Sequence, residues 1–289
     1  MSGFGGRLHT AMAERGQLCV GIDPHAALLT QWGLDAGAAG AREFGLRVVE
    51  AAAGRVAVVK PQVAFFERYG SAGFAALEDV LRAARDAGLL VIADAKRGDI
   101  GSTMDAYAQA WLAPGSPLEA DAVTVSPYLG VDALAGTFDL ARANGKGVFV
   151  LAATSNPEGN FVQRAVPQTG VYSGSSVYSN PTVAADIIDH VSRWNEPTTA
   201  PVADFGFVIG ATVDFEGYKV PPQISPAAPI LAPGFGAQGA RLADLDTLFG
   251  ALAPQVLASA SRSILGAGPD GLVAAIDAHN AELQESRRG

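Results

Sequence analysis

Short apolar runs recur along the chain, and each is followed by a longer stretch with helical spacing. The runs lie at 18–22, 56–60, 89–93, 122–125, 147–152, 206–210, 230–232 and 255–260. They are continuously apolar instead of alternating, which is how strands covered on both faces read. Between them, Phe74, Leu77, Leu81 and Ala84 recur at intervals that place them on one helical face. So do Val183, Ile187, Val191 and Trp194. Gly54, Gly88 and Gly145 stand where helices should stop. Eight strand–helix units in one chain predict a (β/α)₈ TIM barrel, an α/β fold in a single domain over 1–289. A doubly wound open sheet competes, but the first run leads into Gly21-Ile22-Asp23-Pro24, which is not a dinucleotide-binding turn. No linker is visible. The long segment 156–181, rich in Gly, Ser, Asn and Tyr, follows the fifth strand and is expected to be a lid loop. A second long, Pro-rich connection at 211–229 suggests no role.

Composition narrows the function. Of 289 residues, 49% are hydrophobic and 17% charged, enough apolar material for a large core. The net charge of -9 carries no basic footprint, so a nucleic-acid polymer is not the expected partner. Cys19, the one cysteine, permits no internal disulfide and reads as a small buried hydrophobe in a reducing, cytoplasmic setting. The N-terminus carries Arg7, Glu14 and Arg15 before any long apolar run, unlike a signal peptide. No run approaches the roughly 20 apolar residues of a membrane helix. His9, His25, His190 and His279 are scattered, with no metal-ligand spacing and no expected metal, and no G-x-S-x-G elbow occurs.

The chemistry concentrates at strand ends. The third run leads into Asp94-Ala95-Lys96-Arg97-Gly98-Asp99-Ile100. Strand side chains alternate, so Asp94 and Lys96 should share a face, with Asp99 on the following loop. A structural ion pair is the ordinary outcome of such a pattern, because buried charges must pair. The C-terminal end of a barrel strand favours catalysis instead. Lys60 ends the second strand and Asp23 the first. Each alone could be a capping or turn residue, but four charges converging on one rim are harder to explain structurally. A separate anion site is suggested by Pro233-Gly234-Phe235-Gly236-Ala237-Gln238-Gly239 after strand seven and Ser261-Arg262-Ser263 after strand eight. Glycines expose backbone N–H groups to an anion, and Arg grips phosphate through its planar fork.

At these residues the chain resembles the orotidine 5′-phosphate decarboxylase family, most closely its bacterial type 2 branch. The matching segments are residues 21–24, Lys60-Pro61-Gln62 with Phe65-Phe66-Glu67, residues 94–103, Ser155-Asn156-Pro157, residues 231–239 and 261–263. The resemblance implies a cofactor-free carboxy-lyase that converts orotidine 5′-phosphate to UMP and CO₂ in pyrimidine biosynthesis. It implies that Lys96 protonates C6 of the pyrimidine and that Asp94 sits near the departing carboxylate. Asp99 would reach the site from the other subunit of a homodimer, with Ile100 and Thr103 lining the pocket. Asp23 and Lys60 would bind ribose hydroxyls and hold the charge network, and Ser155 would contact the ring. Gln238 and Arg262 would bind phosphate, beside Pro233, Gly234 and Ser261. Gln163 and Gln168, in the expected lid, receive no contact. Two alternatives remain open. One is a Mg²⁺-dependent keto-gulonate or hexulose phosphate barrel enzyme, which would need a metal-binding Glu where Lys60 stands. The other is a non-catalytic phosphate-binding barrel.

Overall fold

A computed structural model of the chain describes residues 3–167, 181–236 and 239–286. A helix, α1 (Phe4–Arg15), precedes β1 (Leu18–Ile22), and α2 (Ala26–Gln31) and α3 (Ala38–Ala52) lead to β2 (Val58–Pro61). Then come α4 (Ala64–Glu67), α5 (Gly70–Asp86), β3 (Leu90–Arg97), α6 (Gly101–Leu112), β4 (Ala122–Val125), α7 (Ala135–Ala143) and β5 (Gly147–Ala153). The chain continues through α8 (Asn160–Gln163), α9 (Val183–Asn195), β6 (Phe205–Ile209), β7 (Ile230–Pro233) and α10 (Leu245–Phe249). It ends with β8 (Val256–Ala260), α11 (Arg262–Leu265) and α12 (Leu272–Ser286). The eight strands are all parallel and close into a barrel in sequence order, β8 pairing with β1.

Strand parity sorts the apolar residues into two cores. One set (Val20, Val59, Val91, Val123, Val150 and Phe207 among them) points outward and packs against the helices. The alternate set, including Cys19, Val58, Leu90, Ile92, Phe149 and Leu257, points into the barrel. Both faces are dry, which is why the runs show no alternation. The interior set is closed from below by α1, whose Phe4, Leu8, Ala11 and Met12 belong to the same cluster. Phe4 meets Phe149 edge to face at 5.9 Å. Asp121, just before β4, fixes this plug by accepting from Arg7 Nη1 at 2.5 Å and from Val91 N–H at 3.0 Å. Asp204, just before β6, accepts from Gly5 N–H at 2.7 Å.

The predicted helical faces pack as expected: Leu77, Leu81, Ala84, Ile187 and Val191 are buried, and Phe74, Val183 and Trp194 pack against the same core. Gly88, past the end of α5, has φ 72°, a conformation that disfavours a side chain. The sixth unit departs from expectation. No helix lies between β6 and β7. The 211–229 connection covers the barrel there with irregular backbone, burying Tyr218, Val220, Ile224 and Ala228 in the outer core. Its prolines at 221, 222, 226 and 229 explain the difference, since each lacks an N–H for a helical ladder. Among the described residues, no helix is long and apolar enough to cross a membrane.

Candidate active site

Two residues above the apolar interior layer, the same strands turn polar. Lys60 stands two positions beyond Val58, Asp94 two beyond Ile92, Thr124 two beyond Ala122 and Ser259 two beyond Leu257. Of these, Lys60, Asp94 and Ser259 line a cavity of about 590 Å³ at the C-terminal mouth, with Thr124 behind Asp94. Asp23, Lys60, Gln62, Asp94, Lys96 and Ser155 line one part of it, and Pro233, Gly234, Ser261 and Arg262 line another. The size is that of an ordinary small-ligand site.

Asp94 is the hub. Its Oδ2 accepts from Lys60 Nζ at 3.0 Å and from Gln62 Nε2 at 2.8 Å. Its Oδ1 accepts from Lys96 Nζ at 2.5 Å and from the Thr124 hydroxyl at 3.0 Å. Lys60 and Asp94 are buried, whereas the Lys96 side chain is 44% exposed and opens into the mouth. Burial alone would push the Asp94 carboxyl up. The Lys60 and Lys96 charges and their hydrogen bonds overcome that and hold it well below the usual carboxylate range. For Lys60, burial works to strip the proton, but the Asp94 and Asp23 charges outweigh it and raise the ammonium above its ordinary value. The pair is therefore ionic throughout the neutral range, and losing one member would strand a buried charge at about 3–5 kcal/mol. Asp23 Oδ1 is buried and has no hydrogen-bond partner among the described residues, a polar atom left for something that enters the cavity.

Lys96 breaks the regularity of its strand. It has φ 48°, and the β3–β4 register shifts between Ala93 and Arg97. A left-handed non-glycine residue costs about 1–2 kcal/mol and is found where geometry is being held for a purpose. Its backbone N–H donates to Thr124 Oγ1 at 2.9 Å.

On the other side of the mouth, Gly234 and Gly236 have φ 120° and 74°, so their backbone bends in a way that suits glycine. A Cβ on Gly236 would lie 2.7 Å from Ser263 Oγ. Arg262 forms no ion pair among the described residues. An unpaired guanidinium beside glycine backbone suits an anion.

Asp23, Lys60, Asp94, Lys96, Ser155, Pro233, Gly234, Ser261 and Arg262 thus meet at one cavity. Asp99, Ile100 and Thr103 are not among its lining residues. Asp99 accepts from the Ile100 N–H at 2.8 Å, and Ile100 is 61% exposed. Gln238 and Gln168 lie outside the described residues, as do residues 168–180 of the expected lid. Gln163 lines the cavity and is clamped to Thr154, whose N–H donates to its Oε1 at 2.8 Å. Gln62, Thr124, Thr154, Asn156, Phe235 and Ser259 are site residues that sequence reasoning missed. Parity was the available signal for Thr124 and Ser259, both on the inward face of their strands. The 211–229 connection also serves the site: Tyr218 Oη is hydrogen-bonded to Asn160 Oδ1 at 2.8 Å and donates to Thr154 O at 3.2 Å. Thr182 Oγ1 donates to Tyr218 O at 2.5 Å. Both ends of the segment after β5 are tied to one tyrosine.

A barrel with a partly buried cation–anion–cation cluster and an anion-binding rim at the C-terminal ends of its strands defines an enzyme acting on a phosphorylated small molecule. The chain belongs to the orotidine 5′-phosphate decarboxylase / HUMPS family, whose model matches residues 16–276. It is 55% identical over 270 residues to an orotidine 5′-phosphate decarboxylase of Salinispora arenicola, covering 93% of this chain and 92% of the relative. It is 52% identical over 271 residues to that of Streptomyces coelicolor, covering 93% and 92%. A crystal structure from Streptomyces avermitilis superposes with TM-score 0.91 at 48% identity, over 100% of this chain and 97% of the other. The Leishmania donovani OMP decarboxylase superposes with TM-score 0.76 at 30% identity, over 99% and 100%.

Proposed function

We propose that this chain is a carboxy-lyase that converts orotidine 5′-phosphate to UMP and CO₂, the closing step of UMP synthesis. The observation that carries the reading is the Lys60–Asp94–Lys96 cluster sharing one cavity with Ser261 and Arg262. Cleavage of the bond to CO₂ leaves its electron pair on C6, where no neighbouring group can absorb it. The Lys96 ammonium stabilises that developing charge and then transfers a proton to C6, and water reprotonates the amine. Asp94, fixed by four donors, stands close to the departing carboxylate. Asp23, whose Oδ1 has no partner among the described residues, and Lys60 take the ribose hydroxyls. Ser155 contacts the ring, and Arg262 with Gly234, Pro233, Ser261 and Gln238 takes the phosphate. The Lys60 ammonium lies 3.0 Å from Asp94 Oδ2, where a Mg²⁺-dependent relative would need an acid, and it would repel a divalent cation. The chemistry assigned to Lys96 needs no cofactor.

The working unit is a homodimer with shared sites. Asp99, Ile100 and Thr103 do not line their own cavity, and Ile100, Tyr128 and Leu129, which follow the neighbouring strands β3 and β4, are exposed large apolar residues suited to meeting a second copy. In that arrangement Asp99 enters the partner's site. The chain is read as one barrel domain in the cytoplasm, with segment 156–181 covering the mouth, since Asn156 and Gln163 already line it.

The test is the fall in pyrimidine absorbance when purified protein meets orotidine 5′-phosphate in EDTA. Full turnover is expected. Protein that binds UMP but leaves orotidine 5′-phosphate intact would instead be a phosphate-binding barrel, and a requirement for Mg²⁺ would point to the keto-sugar phosphate enzymes.

A further inference from the structure

We propose that Thr124 is a positioning residue for the reaction, acting through Lys96 and Asp94 together. The inference rests on the roles just given to those two residues. Thr124 is the one polar residue of β4, fully buried, and it does not line the cavity. Its own side chain is set back behind Asp94 and Lys96, which do line the cavity. Yet its hydroxyl engages both members of the central ion pair: it accepts from the Lys96 backbone N–H at 2.9 Å and sits 3.0 Å from Asp94 Oδ1.

The proton direction is determined. A backbone N–H only donates, so the hydroxyl oxygen must accept there, and its single proton is left for the carboxylate. The same carboxylate oxygen takes the Lys96 ammonium. One hydroxyl therefore closes a ring that runs from the Lys96 backbone through Thr124 and Asp94 back to the Lys96 amine.

The ring lies where the β3–β4 ladder shifts its register. The register shifts between Ala93 and Arg97, and Lys96 takes φ 48° in the gap. At this shift in register, the Thr124 contact ties the Lys96 backbone to the neighbouring strand. It fixes the point from which the lysine side chain sets out. The same hydroxyl supplies the fourth donor to Asp94, beside Lys60, Gln62 and Lys96. The carboxylate has no remaining freedom to rotate. A valine at this position would fill the same space, but the Lys96 N–H and Asp94 Oδ1 would each lose a partner. Errors of about 1 Å in the placing of reacting groups cost on the order of 100-fold in rate.

The experiment compares Thr124→Val and Thr124→Ser with wild type and Lys96→Ala, measuring kcat, KM, Tm and UMP affinity, with active sites counted by UMP binding. Thr124→Val should lower kcat per site by roughly 10–100-fold, with KM and UMP affinity within about threefold of wild type. Thr124→Ser, which keeps the hydroxyl, should stay within about threefold in kcat. A purely structural role would lower Tm and the number of sites but leave kcat per site alone, and that result overturns the proposal. So does Thr124→Val with wild-type kcat, or Thr124→Ser as impaired as the valine variant. If the valine variant does not fold, Thr124→Ala, smaller and also without a hydroxyl, carries the same expectation. An active wild type with an inactive Lys96→Ala preserves the underlying reading whatever Thr124 does. A wild type that leaves orotidine 5′-phosphate untouched overturns both.

Discussion

The barrel interior has two storeys built by the same strands, and they obey opposite rules. In the lower storey Cys19, Val58, Ile92, Phe149 and Leu257 meet the α1 plug with no charge among them. In the upper storey, one pleat repeat higher, Lys60, Asp94, Thr124 and Ser259 replace them. The lower layer lowers free energy by removing apolar surface from water. The upper layer takes ions out of water, a cost that only mutual pairing offsets. The contrast teaches that a continuous run of buried strand residues is not one environment. Its last inward position belongs to the site, and its earlier ones to the core.

Substitutions in the two storeys should therefore separate activity from stability. Lys96→Ala should lower turnover by at least about 10³-fold, or ~4 kcal/mol in barrier, while Tm changes little because the lysine is half exposed. Activity within tenfold of wild type would remove Lys96 from the mechanism. Phe149→Ala below should do the reverse. Loss of a fully buried aromatic at the plug should cost about 3–5 kcal/mol in urea unfolding, with kcat per folded site retained. A smaller stability loss with a large loss of kcat would mean that the storeys are coupled. Arg262→Ala should weaken binding through the phosphate by about 2–4 kcal/mol, read as a higher KM. An unchanged KM would detach the glycine-rich rim from the substrate.

At neutral pH the smallest effect concerns Cys19, whose contribution appears only in alkali. Burial raises its thiol from 9.0 to about 12, with the nearby Lys60 ammonium and the Ser259 side chain opposing the shift. The unfolded thiol ionises first, so the unfolded state binds fewer protons above pH 9 and stability falls as pH rises through the window from 9.0 to about 12. Cys19→Ala should remove a slope of up to about 1.4 kcal/mol per pH unit there. Parallel stability curves for the two proteins above pH 9 would contradict it.

Much of this was legible in the residues. All eight runs became strands, off by at most two residues at their starts, because dry faces on both sides demand unbroken apolar stretches. The third strand runs four residues further than its apolar run, since pairing resumes at Arg97 beyond a shift in register and the charged residues lie between. The convergence of Asp23, Lys60, Asp94 and Lys96 followed from each standing at a strand end. Other features had no local signature. The α1 plug depends on where a short amphipathic helix docks, and spacing does not report docking. The missing sixth helix was hinted at by prolines, yet the service of Tyr218 to the segment after β5 is a contact across 58 and 64 positions of sequence. Thr124 and Gln62 looked like ordinary polar residues until Asp94 was placed between them.

Proton delivery from Lys96 to C6 is the central step. A single turnover in D₂O, with enzyme in excess over orotidine 5′-phosphate and EDTA present, measures it most directly by proton NMR of the product. Wild type should yield UMP deuterated at C6 in stoichiometric amount, and Lys96→Ala should yield none over the same interval. UMP formed by Lys96→Ala at a rate comparable with wild type would contradict the account.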